Sequence, residues 1–97
     1  VSANKKPTGP YEFGIMELSR FLDKSPATIR KWEEDRHFVF PRDKNGDRRF
    51  IAKDIREVVA KAAKMGRIGI HRQHFVESLM TMVEILENMN EKKEVRK

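Results

Sequence analysis

The stretch Ser25-Pro26-Ala27-Thr28-Ile29-Arg30-Lys31-Trp32-Glu33 decides the fold. A serine hydroxyl accepts from the free N–H groups of a helix's first turn, and proline suits the first helical position because its missing N–H is not needed there. Ser25 and Pro26 therefore open a helix, and Ile29 and Trp32 follow at helical spacing. Upstream, Ile15, Leu18 and Leu22 stand at i, i+3 and i+7, with Phe21 widening the stripe, so another helix starts at Ile15. Asp23 and Lys24 interrupt it. Two short helices separated by about three residues give a helix-turn-helix signal.

Downstream, the character changes. Phe38, Val39 and Phe40 favour strand, and Pro41 ends the run. Asn45-Gly46 is a hairpin turn, since both residues tolerate positive φ. Arg48, Arg49 and Phe50 return on the far side. This predicts a two-stranded wing with its tip near 44–47. A third helix is expected over Ala52 to Met65, burying Ile55, Val58, Val59 and Ala62, and Gly66 and Gly69 break it. A fourth follows from about Arg72 to Asn90. The expected class is mainly α: a winged helix-turn-helix with a C-terminal helix. Its divisions are a flexible basic arm over 1–12, a winged-helix domain over 13–66, and a C-terminal helix with a charged tail over 67–97.

The chain's 97 residues suit one domain with a trailing element. Charged residues make up 37% and hydrophobic ones 38%, which fits a helical domain with a wet surface rather than a disordered chain. The net charge of +6 makes nucleic acid a natural partner, because Lys and Arg release the counterions of phosphates. With no cysteine, disulfides, thiolate metal sites and cysteine nucleophiles are excluded. No stretch approaches the ~18 apolar residues of a membrane span. No secretory signal is visible either, so a cytoplasmic place beside the nucleoid is expected. The chain opens on Val1 without Met, as a processed chain or part of a longer one does.

The residues from Ile15 to Ile55 resemble the DNA-binding domain of the MerR superfamily. The resemblance lies in Phe13-Gly14-Ile15-Met16-Glu17-Leu18, in Ser25 to Glu33, in the wing Pro41-Arg42-Asp43-Lys44-Asn45-Gly46-Asp47-Arg48-Arg49-Phe50, and in the helix start Asp54-Ile55. It covers somewhat under half the chain, in order and spacing. Phage and mobile-element proteins, including excisionases and small terminase subunits, share this module. The resemblance implies that the helix around Thr28 to Glu33 lies in the major groove. It implies that Arg30 and Trp32 meet DNA or its backbone, that Arg42 and Arg48 grip phosphates beside the groove, and that Phe50 anchors the wing. The chain departs from the family at three places. Arg36 stands where a glycine is usual, Asp47 replaces the wing aromatic, and Ile51 replaces a hydroxyl cap, though Asp54 can still complement the helix start.

The residues argue for DNA independently. A recognition helix needs polar or basic side chains outside and apolar ones behind. Thr28, Arg30, Lys31 and Glu34 can face outward with Ile29 and part of Trp32 inward, and such a helix fits the major groove. Arg30 suits a guanine edge or a phosphate. Residues 36–56 carry seven Lys or Arg and three Asp, a net of +4. The expected contact set is Ser25, Thr28, Arg30, Lys31, Trp32, Arg36, Arg42, Lys44, Arg48 and Arg49. Trp32 is read as partly buried, its indole N–H reaching a phosphate. Asp23, Glu33, Glu34 and Asp35 have no paired partner for acid/base work and read as surface or capping residues. His71 and His74 stand three apart without further metal ligands, and His37 reads as a loop residue, so no metal and no cofactor is expected. No nucleophile, metal or phosphate-cradle motif of an enzyme appears.

Residues 75–91 contain Glu77, Glu84, Glu87 and Glu91 and no Lys or Arg, so this helix should point away from phosphate. Its apolar residues form two overlapping stripes: Phe75, Leu79, Met82, Leu86 and Met89, and Val76, Leu79, Val83 and Leu86. One stripe can cover the domain while the other, with the soft methionines Met80, Met82 and Met89, is left for a partner. The expected partner face is Phe75, Val76, Leu79, Met82, Val83, Leu86 and Met89. Family members commonly dimerise through such a helix, so a homodimer on duplex DNA is expected, with no small-molecule effector and no membrane. The first functional reading is a sequence-specific transcriptional regulator. The second is an excisionase-like architectural or recombination accessory protein, and the third is an interaction module using the helical tail.

Overall fold

The computed structural model describes residues 10–95, with side chains over 10–90. Four helices follow one another: α1 (Ile15–Leu22), α2 (Pro26–Glu34), α3 (Ala52–Lys64) and α4 (Ile70–Val95). Each start has a local cause. At α1 the Glu17 carboxylate reaches back to the N–H of Gly14 at 2.8 Å, which satisfies an otherwise orphaned donor. At α2, Ser25 Oγ accepts from the N–H of Thr28 at 3.1 Å, and Pro26 takes the first position as the sequence predicts. At α3, Asp54 reaches back and accepts from the N–H of Ile51 at 3.0 Å, the half of a capping box that needs no hydroxyl at the cap position.

The first three helices end alike. Asp23, Arg36 and Gly66 adopt left-handed φ of 58°, 64° and 76°. In each case the next two N–H groups fold back onto the last turn: Asp23 and Lys24 onto Arg20 and Ser19, Arg36 and His37 onto Glu33 and Trp32, Gly66 and Arg67 onto Ala63 and Ala62. This is the Schellman arrangement, which glycine favours. Only α3 has its glycine. Arg36, standing where the resemblance leads one to expect glycine, takes the glycine conformation regardless.

The wing is a hairpin with little ladder. The described residues contain one cross-strand bridge within it, Arg42 to Arg48, rather than the two-stranded sheet expected from the sequence. Phe38 to Phe40 form no strand: Phe38 and Phe40 are core residues and Val39 between them is 94% exposed. The physical reason is local. Pro41 has no N–H to give, and the N–H of Phe40 turns to Glu33. The returning strand pairs elsewhere, since Phe50 exchanges two backbone hydrogen bonds of 2.8 Å with Phe13.

Aromatic side chains fill the space beneath. Trp32 stacks on Phe38 at 5.2 Å, Phe38 lies 5.8 Å from Phe40, and Phe40 meets Phe50 edge to face at 5.3 Å. Around them Leu18, Leu22, Ile29, Ile55, Val59, Ala62, Val76 and Met80 are buried. The fourth helix packs on α3 and α1, pinned by Arg56 of α3 to Glu84 at 3.0 Å and to Thr81. Of the expected arm, residues 1–9 lie outside the described residues. Tyr11 is held on α4: its N–H donates to Glu87 at 2.9 Å, and Asn90 donates to its hydroxyl at 2.8 Å.

Removing the Phe50 ring opens a cavity where hairpin, α1 and α3 meet, so Phe50→Ala should cost about 3–5 kcal/mol in urea unfolding. The Glu17 carboxyl is held below its ordinary range, first by the N–H of Gly14 and then by its own. Its stabilisation is thus present above the unfolded carboxylate pKa and is lost as pH falls through the lowered folded value. Thermal melts of the wild type and Glu17→Gln should differ at neutral pH and converge in acid.

Candidate nucleic-acid interface

The second helix divides sharply between its two sides. Ile29 is fully buried and Trp32 is 3% exposed, whereas Ala27, Thr28, Arg30, Lys31 and Glu34 face solvent. Polar and basic side chains thus stand on a rigid support, as contact with base edges and phosphates requires. Arg30 has no ion-pair partner among the described residues. Lys31 lies 3.8 Å from Asp35 with 70% of its side chain exposed, a pairing that water largely screens.

The hairpin beside it is organised by its own side chains. Asp43 Oδ1 accepts from the N–H groups of Asn45 (2.9 Å) and Asp47 (3.0 Å). The backbone adds Asp43 to Asp47 at 2.9 Å and Arg49 to Pro41 at 3.0 Å. Gly46 provides the φ of 86° at the tip, so Asn45-Gly46 turns the chain where the sequence predicts it. Lys44 projects from the tip into solvent. Arg49 lies 3.8 Å from Asp43 and keeps about half of its side chain exposed.

Glu33 ties helix and hairpin together. Its Oε1 accepts from Arg42 Nη2 at 2.7 Å, from Arg48 Nε at 2.8 Å and, as an ion pair, from Arg48 Nη2 at 2.8 Å. Its Oε2 lies 3.4 Å from the N–H of Phe40. Arg42 spends its other terminus on the carbonyl of Gly46 at 2.9 Å. The guanidinium donors that the sequence reading gave to phosphate are therefore turned onto a carboxylate. Glu33, read from sequence as an ordinary surface or capping residue, sits at the centre of the site. Its partners lie 9 and 15 positions further along the chain, so no local pattern marks it.

Two further residues have structural roles. The Trp32 ring belongs to the core, between Phe38 and the guanidinium of Arg67, which lies 5.7 Å from it. Ser25 bonds Thr28 through both the N–H and the side-chain oxygen. Arg67 was missed because the turn after Gly66 reads as a simple break. On α4 the two stripes separate. Val76 and Met80 are buried and Leu79 and Val83 pack against the core, so Val76, Leu79, Met80 and Val83 leave the partner face. Phe75, Met82, Leu86 and Met89 remain exposed, joined by Ile85. The described residues bring together no three His, Asp or Glu side chains able to hold a metal. None of their helices is long and apolar enough to cross a membrane.

No family model and no curated protein matches this chain. It is similar to the solved structure of HiNmlR, a MerR family regulator lacking the sensor domain, bound to promoter DNA. The similarity has a TM-score of 0.44 at 16% identity and covers 89% of this chain and 74% of that one.

Arg36 gives the site a direct trade between stability and charge. A side chain in the left-handed region costs about 1 kcal/mol relative to glycine. Arg36→Gly should raise thermal stability by that order, which calorimetry reads directly.

Proposed function

We propose that this protein is a sequence-specific, double-stranded DNA-binding transcriptional regulator. In this reading α2 enters the major groove and the hairpin lies against the flanking backbone. One observation carries it: the solvent-facing edge of α2, with Thr28, Arg30 and Lys31, is joined through Glu33 to a basic hairpin whose tip presents Lys44 and Arg49. Two adjoining positive elements on one rigid support match a groove and its bordering phosphates. The resemblance of residues 15–55 to the MerR superfamily module supports the same placement. The phosphate contacts fall to Arg30, Lys31, Arg36, Lys44 and Arg49.

The protein acts as a homodimer through α4 in this reading. Phe75, Met82, Ile85, Leu86 and Met89 are each half exposed or more on one helix, and exposed apolar surface concentrated in this way is characteristic of contact faces. Glu77, Glu84 and Glu87 on the same helix keep it from phosphate.

Selection from a random duplex pool should enrich a repeated or palindromic motif. Affinity for that motif should fall steeply with salt, the logarithmic slope being about 0.9 for each phosphate neutralised, and Arg30→Ala or Lys44→Ala should reduce the slope by about one each if they meet phosphate. A flat salt profile would rule out the interface. Sedimentation should give a dimer for the wild type and a monomer for the double variant Met82→Glu, Leu86→Glu. A wild-type monomer at high concentration would remove the dimer, and cooperative growth along DNA with bending would favour the architectural reading.

A further inference from the structure

Two guanidinium groups share one carboxylate oxygen at the junction of α2 and the hairpin. Arg42 and Arg48 both reach Glu33 Oε1, at 2.7 and 2.8 Å. The three side chains are unequally exposed: 41% for Arg42, 21% for Arg48 and 18% for Glu33. Arg48 places both Nε and Nη2 on that same oxygen, and two donors of one planar group converging on it fix direction as well as distance. The hairpin needs such a tie, because its own pairing is the single Arg42–Arg48 bridge and an isolated hairpin is marginal in water. Glu33 also receives the N–H of Phe40, two residues before Arg42 where the chain enters the hairpin. One side chain thus holds the outgoing strand, the incoming strand and their base against the helix that carries Arg30.

We propose that Glu33 is the positioning residue of this surface: it sets the distance between α2 and the hairpin, and Arg48 serves that carboxylate rather than a phosphate. The proposal rests on the reading of this face as a duplex-binding surface. Charge supports the division of labour. A carboxylate between two guanidiniums leaves one net positive charge, and the more exposed member, Arg42, carries it toward solvent. Arg48 is the wing arginine that contributes least to the outward field, although by sequence it looks like the equal of Arg42. Its task depends on the planar fork of arginine, which lysine's point charge does not reproduce.

The test needs one readout that does not involve DNA. The chain has no cysteine, so spin labels can be placed at Ala27→Cys on α2 and Lys44→Cys at the hairpin tip, both exposed. The label–label distance distribution should be narrow with Glu33 and Arg48 intact. It should broaden in Glu33→Gln, in Arg48→Gln and equally in Arg48→Lys. A variant that fails to melt cooperatively is replaced by Glu33→Asp, one methylene shorter, which should broaden the distribution to a lesser degree. In the unlabelled protein with a fluorescent duplex of its selected motif, each change that frees the hairpin should weaken binding about tenfold, as expected when about a tenth of the molecules keep the competent arrangement. The salt slope should stay unchanged. Glu33→Gln and Arg48→Gln together should cost no more than either alone, the behaviour of two groups acting as one unit. The proposal is overturned by an unchanged distance distribution in Glu33→Gln. It is equally overturned if Arg48→Gln lowers the salt slope by about one while Arg48→Lys preserves it, because that is the signature of a phosphate contact. A wild type that binds no duplex defeats the DNA reading alone, and the distance measurement then still decides the role of Glu33.

Discussion

The run of rings from Trp32 through Phe38 and Phe40 to Phe50 lets a short hairpin keep a fixed place beside a short helix. Neither element could hold itself. A helix of 9 residues is below the length at which isolated helices persist in water, and a hairpin with one bridge has little cross-strand stabilisation. Large rings bury much apolar area for the few dihedrals they immobilise. Spaced along the path from helix to hairpin, they turn two unstable elements into one surface. The backbone exchange between Phe13 and Phe50 closes the base of that surface, and α3 and α4 cover its back.

On this apolar support the charges are arranged by exposure. The carboxylate of Glu33 lies where burial is greatest and gathers the two arginines that flank it. Arg30, Lys31, Arg36, Lys44 and Arg49 remain on the rim in water. Partly buried pairs are geometrically decisive because removing one partner leaves the other poorly solvated. Rim charges instead contribute long-range attraction that salt can screen. The same residue type therefore does two jobs within a few ångströms. Arg48 fixes shape, while Arg30 supplies field.

The helices were legible because each carries its own signal: the periodicity of Ile15, Leu18 and Leu22, the Ser25-Pro26 start, the stripe of Ile55, Val58, Val59 and Ala62. The hairpin turn was legible in Asn45-Gly46. The strand expected at Phe38 to Phe40 was not there, although the alternation buried, exposed, buried is real. Alternation reports which side chains face inward, and a strand also needs a partner with free N–H and C=O groups, which Pro41 and the detour of the Phe40 N–H to Glu33 deny it. Glu33 was illegible for a different reason. Its partners lie 9 and 15 positions away, and nothing in composition or period links them until the chain folds. The two stripes of α4 were correct as patterns, but only packing could choose which faced the domain.

The fourth helix shows the same logic at larger scale. A helix of 26 residues with apolar side chains on two sides cannot satisfy both against one small domain. Val76, Leu79, Met80 and Val83 go inward onto α3 and α1, and Arg56 pins that choice through Glu84 and Thr81. Tyr11, bonded to Glu87 and Asn90, holds the later turns on the same inner side. Phe75, Met82, Ile85, Leu86 and Met89 are thereby forced outward together. Their exposure follows from how firmly the other face is fixed, and a loosely packed helix could roll to hide them. A rigid inner face is thus what keeps the outer apolar face exposed, just as a rigid aromatic floor keeps the basic face in place.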